Sequence, residues 1–123
     1  MSEVHDLAHR YAEAIDTRRL ELLRDVFTPD ATEDFRRLGH KAEGVDAIIA
    51  FIETAIARWT RTQHSITNVV SDGETTASCY FVAVHVKPDG GLFEVGGAYY
   101  DTLVRTPGGL RIAARILEPI WER

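Results

Sequence analysis

Residues 64–120 read HSITNVVSDGETTASCYFVAVHVKPDGGLFEVGGAYYDTLVRTPGGLRIAARILEPI, and short glycine-containing turns divide them into four alternating segments. Alternation of apolar and polar residues is typical of strands with one buried face. The turn glycines supply the positive φ angles that tight antiparallel hairpins need. The stretch therefore predicts an antiparallel meander of four strands, over 64–70, 75–87, 92–105 and 110–120.

The third of these segments contains the pair Gly96-Gly97. Glycines inside a strand mark a bulge or a bend, and long strands bend when they pack on a single layer of helices. We therefore expect a curved sheet. A curved antiparallel sheet closed by a helix leaves a concave pocket lined by inward-facing side chains, which is where small ligands bind.

Residues 1–62 have the apolar spacing of helices instead. A stripe at steps of three and four runs from Val4 to Ile15, with Ser2 as its N-cap, and a second stripe predicts a long helix over 45–59. A shorter helix is expected over 18–27, ended by Pro29, and a short strand over 32–38. The chain is thus predicted to be a single α+β domain over 1–123.

Composition limits the possible partners. The chain has 123 residues and a net charge of −5, which disfavours nucleic acid. It has one cysteine, Cys79, and neither a leader pattern nor an apolar run of about 18 residues, so we expect a cytoplasmic protein without a membrane partner. The pairs Gly90-Gly91 and Gly108-Gly109 lie in hairpin turns, not between a strand and a helix, and give no support for nucleotide binding. No cofactor is expected.

Two histidines are expected to point inward. Period two places His64 on the face of Ile66 and Val70, and it places His85 on the face of Phe81. Each could be a satisfied structural histidine. Together they could form an acid-base site, because the pKa of histidine lies close to neutrality and proton transfer is its usual role.

Three further side chains could complete such a site. Asp16 is either the N-cap of the second helix or the acid that orients a histidine. Tyr11 lies in the apolar stripe, where its phenol could donate a hydrogen bond. Arg115 either points inward, where it would stabilise an anion, or lies on the outer face with Arg111.

The first helix also carries His5 and His9, spaced i, i+4. Histidines at this spacing can bind a metal, but the sequence places no third ligand beside them. A solvated helix face is the better interpretation, and no metal is expected.

The order of elements resembles the SnoaL-like branch of the nuclear transport factor 2-like (NTF2-like) superfamily over nearly the whole chain. The segments that carry the resemblance are YAEAID (11–16), LLRDVFTPDA (22–31), Gln63-His64 with Asn68, GGAYYDTLVR (96–105) and GLRI (109–112). The resemblance implies a cone-shaped, cystatin-like α+β fold. In that fold a curved antiparallel sheet wraps around a long helix and encloses a pocket.

Within that superfamily the chain is most similar to scytalone dehydratase, bile-acid dehydratase and hexachlorocyclohexane dehydrochlorinase. Asp16 and His64 match an Asp at the end of the first helix and a His at the start of a strand in those lyases. Tyr11, His85 and Arg115 each match a cavity residue in one of them. The resemblance thus implies a catalytic set of Asp16, His64, Tyr11, His85 and Arg115.

These observations together predict a cofactor-independent lyase of the dehydratase type. It would act by His-Asp acid-base catalysis on a small hydrophobic carbonyl compound, polyketide-, steroid- or terpenoid-like. An isomerase or cyclase on the same scaffold, and a non-catalytic binding or dimerisation module, are the alternatives. The sheet's second face offers Tyr80, Val82, Val84, Tyr100 and Val104 by alternation, so we expect a homodimer formed through the sheet.

Overall fold

Six strands form one curved sheet, and two helices pack on it, in a computed structural model that describes residues 2–123. The helices are α1 (Glu3–Asp16) and α2 (Val45–Ile56). The strands are β1 (Phe27–Phe35), β2 (His40–Glu43), β3 (Arg61–Ser71), β4 (Thr76–Val86), β5 (Leu92–Thr106) and β6 (Gly109–Glu122). The predicted α+β class is confirmed, and so are four strands after α2.

The strand order across the sheet is β2-β1-β6-β5-β4-β3. Every neighbouring pair is antiparallel except β1 and β6, which run parallel with Glu33 opposite Arg115. The expectation of a wholly antiparallel sheet is therefore wrong at this pair. The connection through α2 sets the direction in which β3 runs. Because the strands of the meander then alternate in direction, β6 runs the same way as β1.

The first helix forms where the apolar stripe predicts it. The Ser2 hydroxyl accepts a hydrogen bond from the His5 backbone N–H and caps the first turn. The face carrying Val4, Leu7 and Ile15 is buried against the sheet. Burial of this stripe is what holds α1 in place, because an isolated helix of 14 residues is only marginally stable in water.

The segment between the two helices differs from the prediction. The expected helix over 18–27 is only a 3₁₀ helix, Leu20–Asp25, and the strand expected over 32–38 begins already at Phe27. Pro29 lies inside β1 because the register to β6 shifts between Phe27 and Thr32, where a missing N–H breaks no regular ladder. The short strand β2 was not predicted, and α2 ends at Ile56 rather than at 59.

The glycine pair in β5 coincides with an irregularity in the sheet, as predicted. The register to β6 shifts between Gly96 and Gly97. A Cβ on Gly97 would lie 2.5 Å from the Glu118 carbonyl oxygen and 2.8 Å from the Phe81 ring. Only a glycine lets the two strands and the aromatic ring approach this closely.

The two faces of the sheet differ in burial. The inner face packs against α1 and α2 and contains Cys79, Phe81 and Tyr99. The outer face leaves Tyr80 52% and Tyr100 48% exposed. No helix among residues 2–123 has both the length and the apolar character needed to cross a bilayer.

Candidate active site

His64 and Asp16 form a hydrogen-bonded pair between the start of β3 and the end of α1. The His64 Nδ1 lies 2.7 Å from Asp16 Oδ1, and the His64 backbone N–H donates to Asp16 Oδ2 at 2.8 Å. Both side chains are largely buried, with 10% of His64 and 20% of Asp16 exposed. A carboxylate can only accept, so the pair fixes the proton of neutral His64 on Nδ1 and leaves the Nε2 lone pair free.

The end of α1 is built to hold Asp16 against β3. The Thr62 hydroxyl donates to Asp16 Oδ1 at 3.0 Å, and the Arg18 guanidinium donates to Thr62 Oγ1 and to the Ile15 carbonyl. Burial raises the pKa of Asp16, but the hydrogen bonds from the His64 ring and backbone outweigh it and lower that pKa overall. Asp16 is thus held as a carboxylate.

The interpretation of Asp16 as the N-cap of the second helix is wrong. The residue preceding the 3₁₀ helix is Arg19, and no side chain caps that helix. Asp16 is instead the last residue of α1, and its carboxylate is taken up by β3.

The imidazole of His64 faces a cavity of about 330 Å³ between the helices and the sheet. Its walls are mainly aromatic and aliphatic. The titratable residues that line it are Tyr11, Arg37, Arg58, His64, His85, Tyr99 and Glu122. The larger apolar lining residues are Ile15, Phe35, Leu38, Phe51, Ile52, Ile56, Trp59, Phe81, Phe93, Val95 and Leu117. A cavity of this size and lining suits a small, largely apolar molecule.

The prediction that Ile66 and Val70 share the inner face of β3 with His64 is correct for Ile66 only. His64 and Ile66 do lie on that face, but Val70 is 68% exposed. Asn68 has a left-handed φ of 56°, and the register to β4 shifts between Thr67 and Val70. This bulge turns the strand over, which simple alternation cannot anticipate.

His85 lines the same cavity as His64, as period two predicts. Its Nδ1 lies 3.1 Å from the Phe93 carbonyl oxygen, so Nδ1 carries the proton and Nε2 is an acceptor in the neutral ring. Burial lowers the pKa of His85, and the nearby charge of His64 adds to this. Neutral His85 can therefore accept a hydrogen bond from a ligand but cannot supply a proton from Nε2.

Tyr11 also lines the cavity, but its proton is already engaged. The Tyr11 hydroxyl donates to Glu33 Oε2 at 2.8 Å. Glu33 is fully buried on β1, and this burial raises the pKa of its carboxyl to about 7 against the opposing effect of Arg115. The phenol of Tyr11 is thus paired inside the protein.

Arg115 points inward, so the alternative that placed it on the outer face is wrong. It is 1% exposed and makes two hydrogen bonds to Asp101, at 2.8 and 2.9 Å. Its guanidinium carbon lies 4.3 Å from the ring centroid of Tyr11 and 4.1 Å from that of Tyr99. It does not line the cavity, so it supports the aromatic floor and has no direct reach to a ligand.

Several residues of this region were not predicted from the sequence to belong to the site. Glu33 lies in the polar stretch Thr32-Glu33-Asp34, Asp101 is a single carboxylate between Tyr100 and Thr102, and Thr62 precedes the predicted start of β3. Tyr99 was passed over because it lies in an aromatic segment typical of any core strand. No group of three or more metal-binding side chains is found among residues 2–123, and His5 and His9 contact each other only through their ring edges.

Sequence comparison matches residues 1–116 to the model of the SnoaL-like domain family. An uncharacterized protein of Mycobacterium tuberculosis is 34% identical over 119 residues, covering 93% of this chain and 81% of that protein. The anthranilate 1,2-dioxygenase small subunit of Burkholderia cepacia is 26% identical over 92% of this chain and 82% of its own.

Solved structures give the same result. The Kfla4162 protein from Kribbella flavida superimposes with a TM-score of 0.88 at 27% identity, over 98% of this chain and 90% of its own. A Novosphingobium aromaticivorans protein whose proposed activity is scytalone dehydratase superimposes with a TM-score of 0.86 at 21% identity, over 98% of this chain and 83% of its own. The chain therefore belongs to the SnoaL-like domain family and has its NTF2-like fold.

Proposed function

We propose that the protein is a cofactor-independent lyase of the dehydratase type that acts on a small, largely apolar carbonyl compound. The observation that carries the proposal is the 2.7 Å contact between His64 Nδ1 and Asp16 at the wall of an aromatic cavity. The fold is shared with lyases and isomerases of the superfamily, and the site supplies the acid-base chemistry that elimination needs.

The reaction begins with His64 as base. Its Nε2 removes the proton from the carbon next to the substrate carbonyl, and Asp16 stabilises the imidazolium that results. The electron pair moves into an enolate and then expels the hydroxyl from the neighbouring carbon. Water leaves once that hydroxyl receives a proton.

The tautomer of His85 decides what this residue does in the acid-base site that the sequence predicts. With Nδ1–H bound to the Phe93 carbonyl and a lowered pKa, the neutral ring holds the substrate hydroxyl as an acceptor. The proton for the departing hydroxyl then comes from the His64 imidazolium, which has just taken it up. The carbon-bound proton and the departing hydroxyl must therefore lie on the same side of the substrate, which makes the reaction a syn elimination.

The test is a screen of the purified protein against hydrophobic hydroxy-ketones and polyketide- or steroid-like compounds, followed by variants. His64→Ala and Asp16→Asn should each lower kcat by about 10²–10⁴-fold. The double variant should lose little more than the worse single variant, because the two residues act as one unit. The control is His9→Ala, an exposed histidine on α1, which should keep full activity. Unchanged turnover in His64→Ala would exclude the pair from the mechanism.

A binding or assembly module is the second candidate, because the chain is 26% identical to a dioxygenase small subunit. The two candidates differ in whether the hydrogen bond between His64 and Asp16 is needed. A lyase needs this hydrogen bond, so the Nδ1 proton of His64 should give a downfield ¹H NMR resonance that Asp16→Asn moves upfield. The absence of such a change in Asp16→Asn, together with no turnover of any screened compound, would favour the module.

A further inference from the structure

The enolate in the proposed reaction needs a hydrogen-bond donor at its oxygen, and the two donors expected from the sequence are both engaged. The Tyr11 hydroxyl donates its hydrogen bond to Glu33 at 2.8 Å. Arg115 is ion-paired with Asp101, is 1% exposed and does not line the cavity. The donor must therefore be a different group on the cavity wall.

Tyr99 is the cavity residue whose hydroxyl is free. Among residues 2–123 its hydroxyl makes no hydrogen bond. The fully enclosed side-chain polar atoms without a partner in that part of the chain are Glu33 Oε1 and Arg115 Nη1. Since the Tyr99 hydroxyl is not one of them and Tyr99 lines the cavity, the hydroxyl is reached from the cavity itself.

The ring of Tyr99 is held on three sides. It stacks on Phe81 at 4.5 Å between centroids, meets the Tyr11 ring edge-on at 5.4 Å, and has the Arg115 guanidinium 4.1 Å from its centroid. A phenol fixed in this way loses little freedom when it meets a ligand, which is what preorganised catalysis requires. The cation on the ring face draws electron density from the phenol and makes its O–H a stronger donor.

We infer that Tyr99 is the catalytic hydrogen-bond donor of the cavity, and that it stabilises the oxyanion formed when His64 removes the substrate proton. The inference rests on the proposed function, since it assigns a second residue to the same reaction. Tyr99 keeps its proton throughout and only donates a hydrogen bond. Burial raises the pKa of Tyr99 well above its ordinary value, which agrees with a donor that does not ionise.

The inference can be tested without a known substrate by using 4-nitrophenolate as a probe of oxyanion binding and 4-nitrotoluene as its neutral counterpart. Dissociation constants are measured at alkaline pH, where the 4-nitrophenol probe is ionised. Tyr99→Phe should weaken binding of 4-nitrophenolate by about 10- to 100-fold, the range for a hydrogen bond to a charged group. Binding of 4-nitrotoluene should change by less than about two-fold, because the ring is kept.

The matched control is Tyr11→Phe, which removes the neighbouring hydroxyl and should leave the preference for the phenolate intact. Three results would overturn the inference: a wild-type protein without that preference, a Tyr99→Phe variant that retains it, or a Tyr11→Phe variant that loses it. None of these depends on turnover. Failure of the His64 variants to lose activity would contradict the proposed function while leaving this binding result intact.

A second measurement keeps the hydroxyl of Tyr99. The chain has four tyrosines, and 3-fluorotyrosine can replace them all. The ¹⁹F resonances are assigned with Tyr→Phe changes at Tyr11, Tyr80 and Tyr100. Saturating 4-nitrophenolate should shift the Tyr99 resonance, and 4-nitrotoluene should shift it much less. Equal shifts with the two probes would contradict a hydrogen bond from Tyr99.

Discussion

Asp16 accepts hydrogen bonds from the Thr62 hydroxyl, the His64 backbone and the His64 ring, so it joins α1 to β3 as well as serving the site. Its pKa is lowered in the folded protein. A carboxyl with a lowered pKa stabilises the fold above the unfolded value of about 3.9 and loses that contribution as the pH falls further.

Asp16→Asn should therefore lower the unfolding free energy by about 1–3 kcal/mol at neutral pH, where the charged carboxylate is lost from its partners. The difference from the wild-type protein should shrink below about pH 4. Urea unfolding at several pH values measures both. A difference that stays constant down to pH ~2 would mean that the Asp16 carboxylate is not stabilised by these bonds.

Glu33 has the opposite linkage. Its carboxyl has a pKa of about 7 in the folded protein, whereas an unfolded glutamate ionises near pH ~4.3. Between these values the folded state holds a proton that the unfolded state has lost, so stability falls as the pH rises.

Glu33→Gln keeps an acceptor for the Tyr11 hydroxyl and removes this proton. Its unfolding free energy should rise relative to that of the wild-type protein by about 3 kcal/mol between pH ~4 and pH ~8. Thermal unfolding across that range is the measurement. Parallel pH profiles for the two proteins would show that Glu33 ionises normally in the fold.

At the scale of single residues, the sequence identified residues whose positions match those of known lyases. It could not show which polar residues become buried when the strands pair. Asp16 and His64 could be singled out because their positions match those of known lyases. The burial of Glu33 was hidden because it depends on β1 pairing with β6, and neither strand reveals that pairing. Arg115 could not be assigned to one face before Asp101 was known to be its partner.

At the scale of elements, the glycine pair of β5 is the most sensitive point of the sheet. A Cβ at Gly97 would meet the Glu118 backbone, which cannot move away without breaking the β5–β6 pairing. A Cβ at Gly96 would meet the side chain of Trp121, which is 38% exposed and can rotate outward.

Gly97→Ala should thus lower the unfolding free energy by about 1–3 kcal/mol, the usual cost of overpacking. Gly96→Ala should cost less, because only a side chain has to move. Urea midpoints of the two variants give the comparison. A larger loss for Gly96→Ala would mean that Trp121 is fixed against the sheet.

The elements themselves could be predicted to different degrees, and the physical reason is periodicity. The stripe from Val4 to Ile15 and the alternation of β4 and β5 each repeat over many residues, and both were located correctly. The segment 18–43 has no sustained period, and its structure is set by contacts with α2 and β6. Its 3₁₀ helix and the strand β2 were therefore out of reach.

At the scale of the whole molecule, we propose that two copies pair through the outer face of the sheet. Tyr80, Val82, Tyr100 and Val104 lie together there and are between 36% and 52% exposed. An apolar patch of this kind on a sheet is costly to leave in water.

Light scattering at micromolar concentration should give twice the monomer mass of 13.8 kDa. Tyr100→Glu should yield a folded monomer, because a charge in the patch opposes its burial. The exposed hairpin residue Lys87 offers a control whose charge change has the same sign and is larger, and Lys87→Glu should remain dimeric. A wild-type protein of monomer mass would contradict the pairing.

The parallel pairing of β1 with β6 has a consequence for how the protein folds. Antiparallel neighbours β3 to β6 can form by successive hairpins, whereas β1 must find a strand near the other end of the chain, which carries a high loop-closure cost. We therefore expect refolding on the millisecond-to-second scale. The pair of Asp16 and His64 needs only α1 and β3, so the two walls of the cavity should be completed in separate steps, with the Glu33 side last.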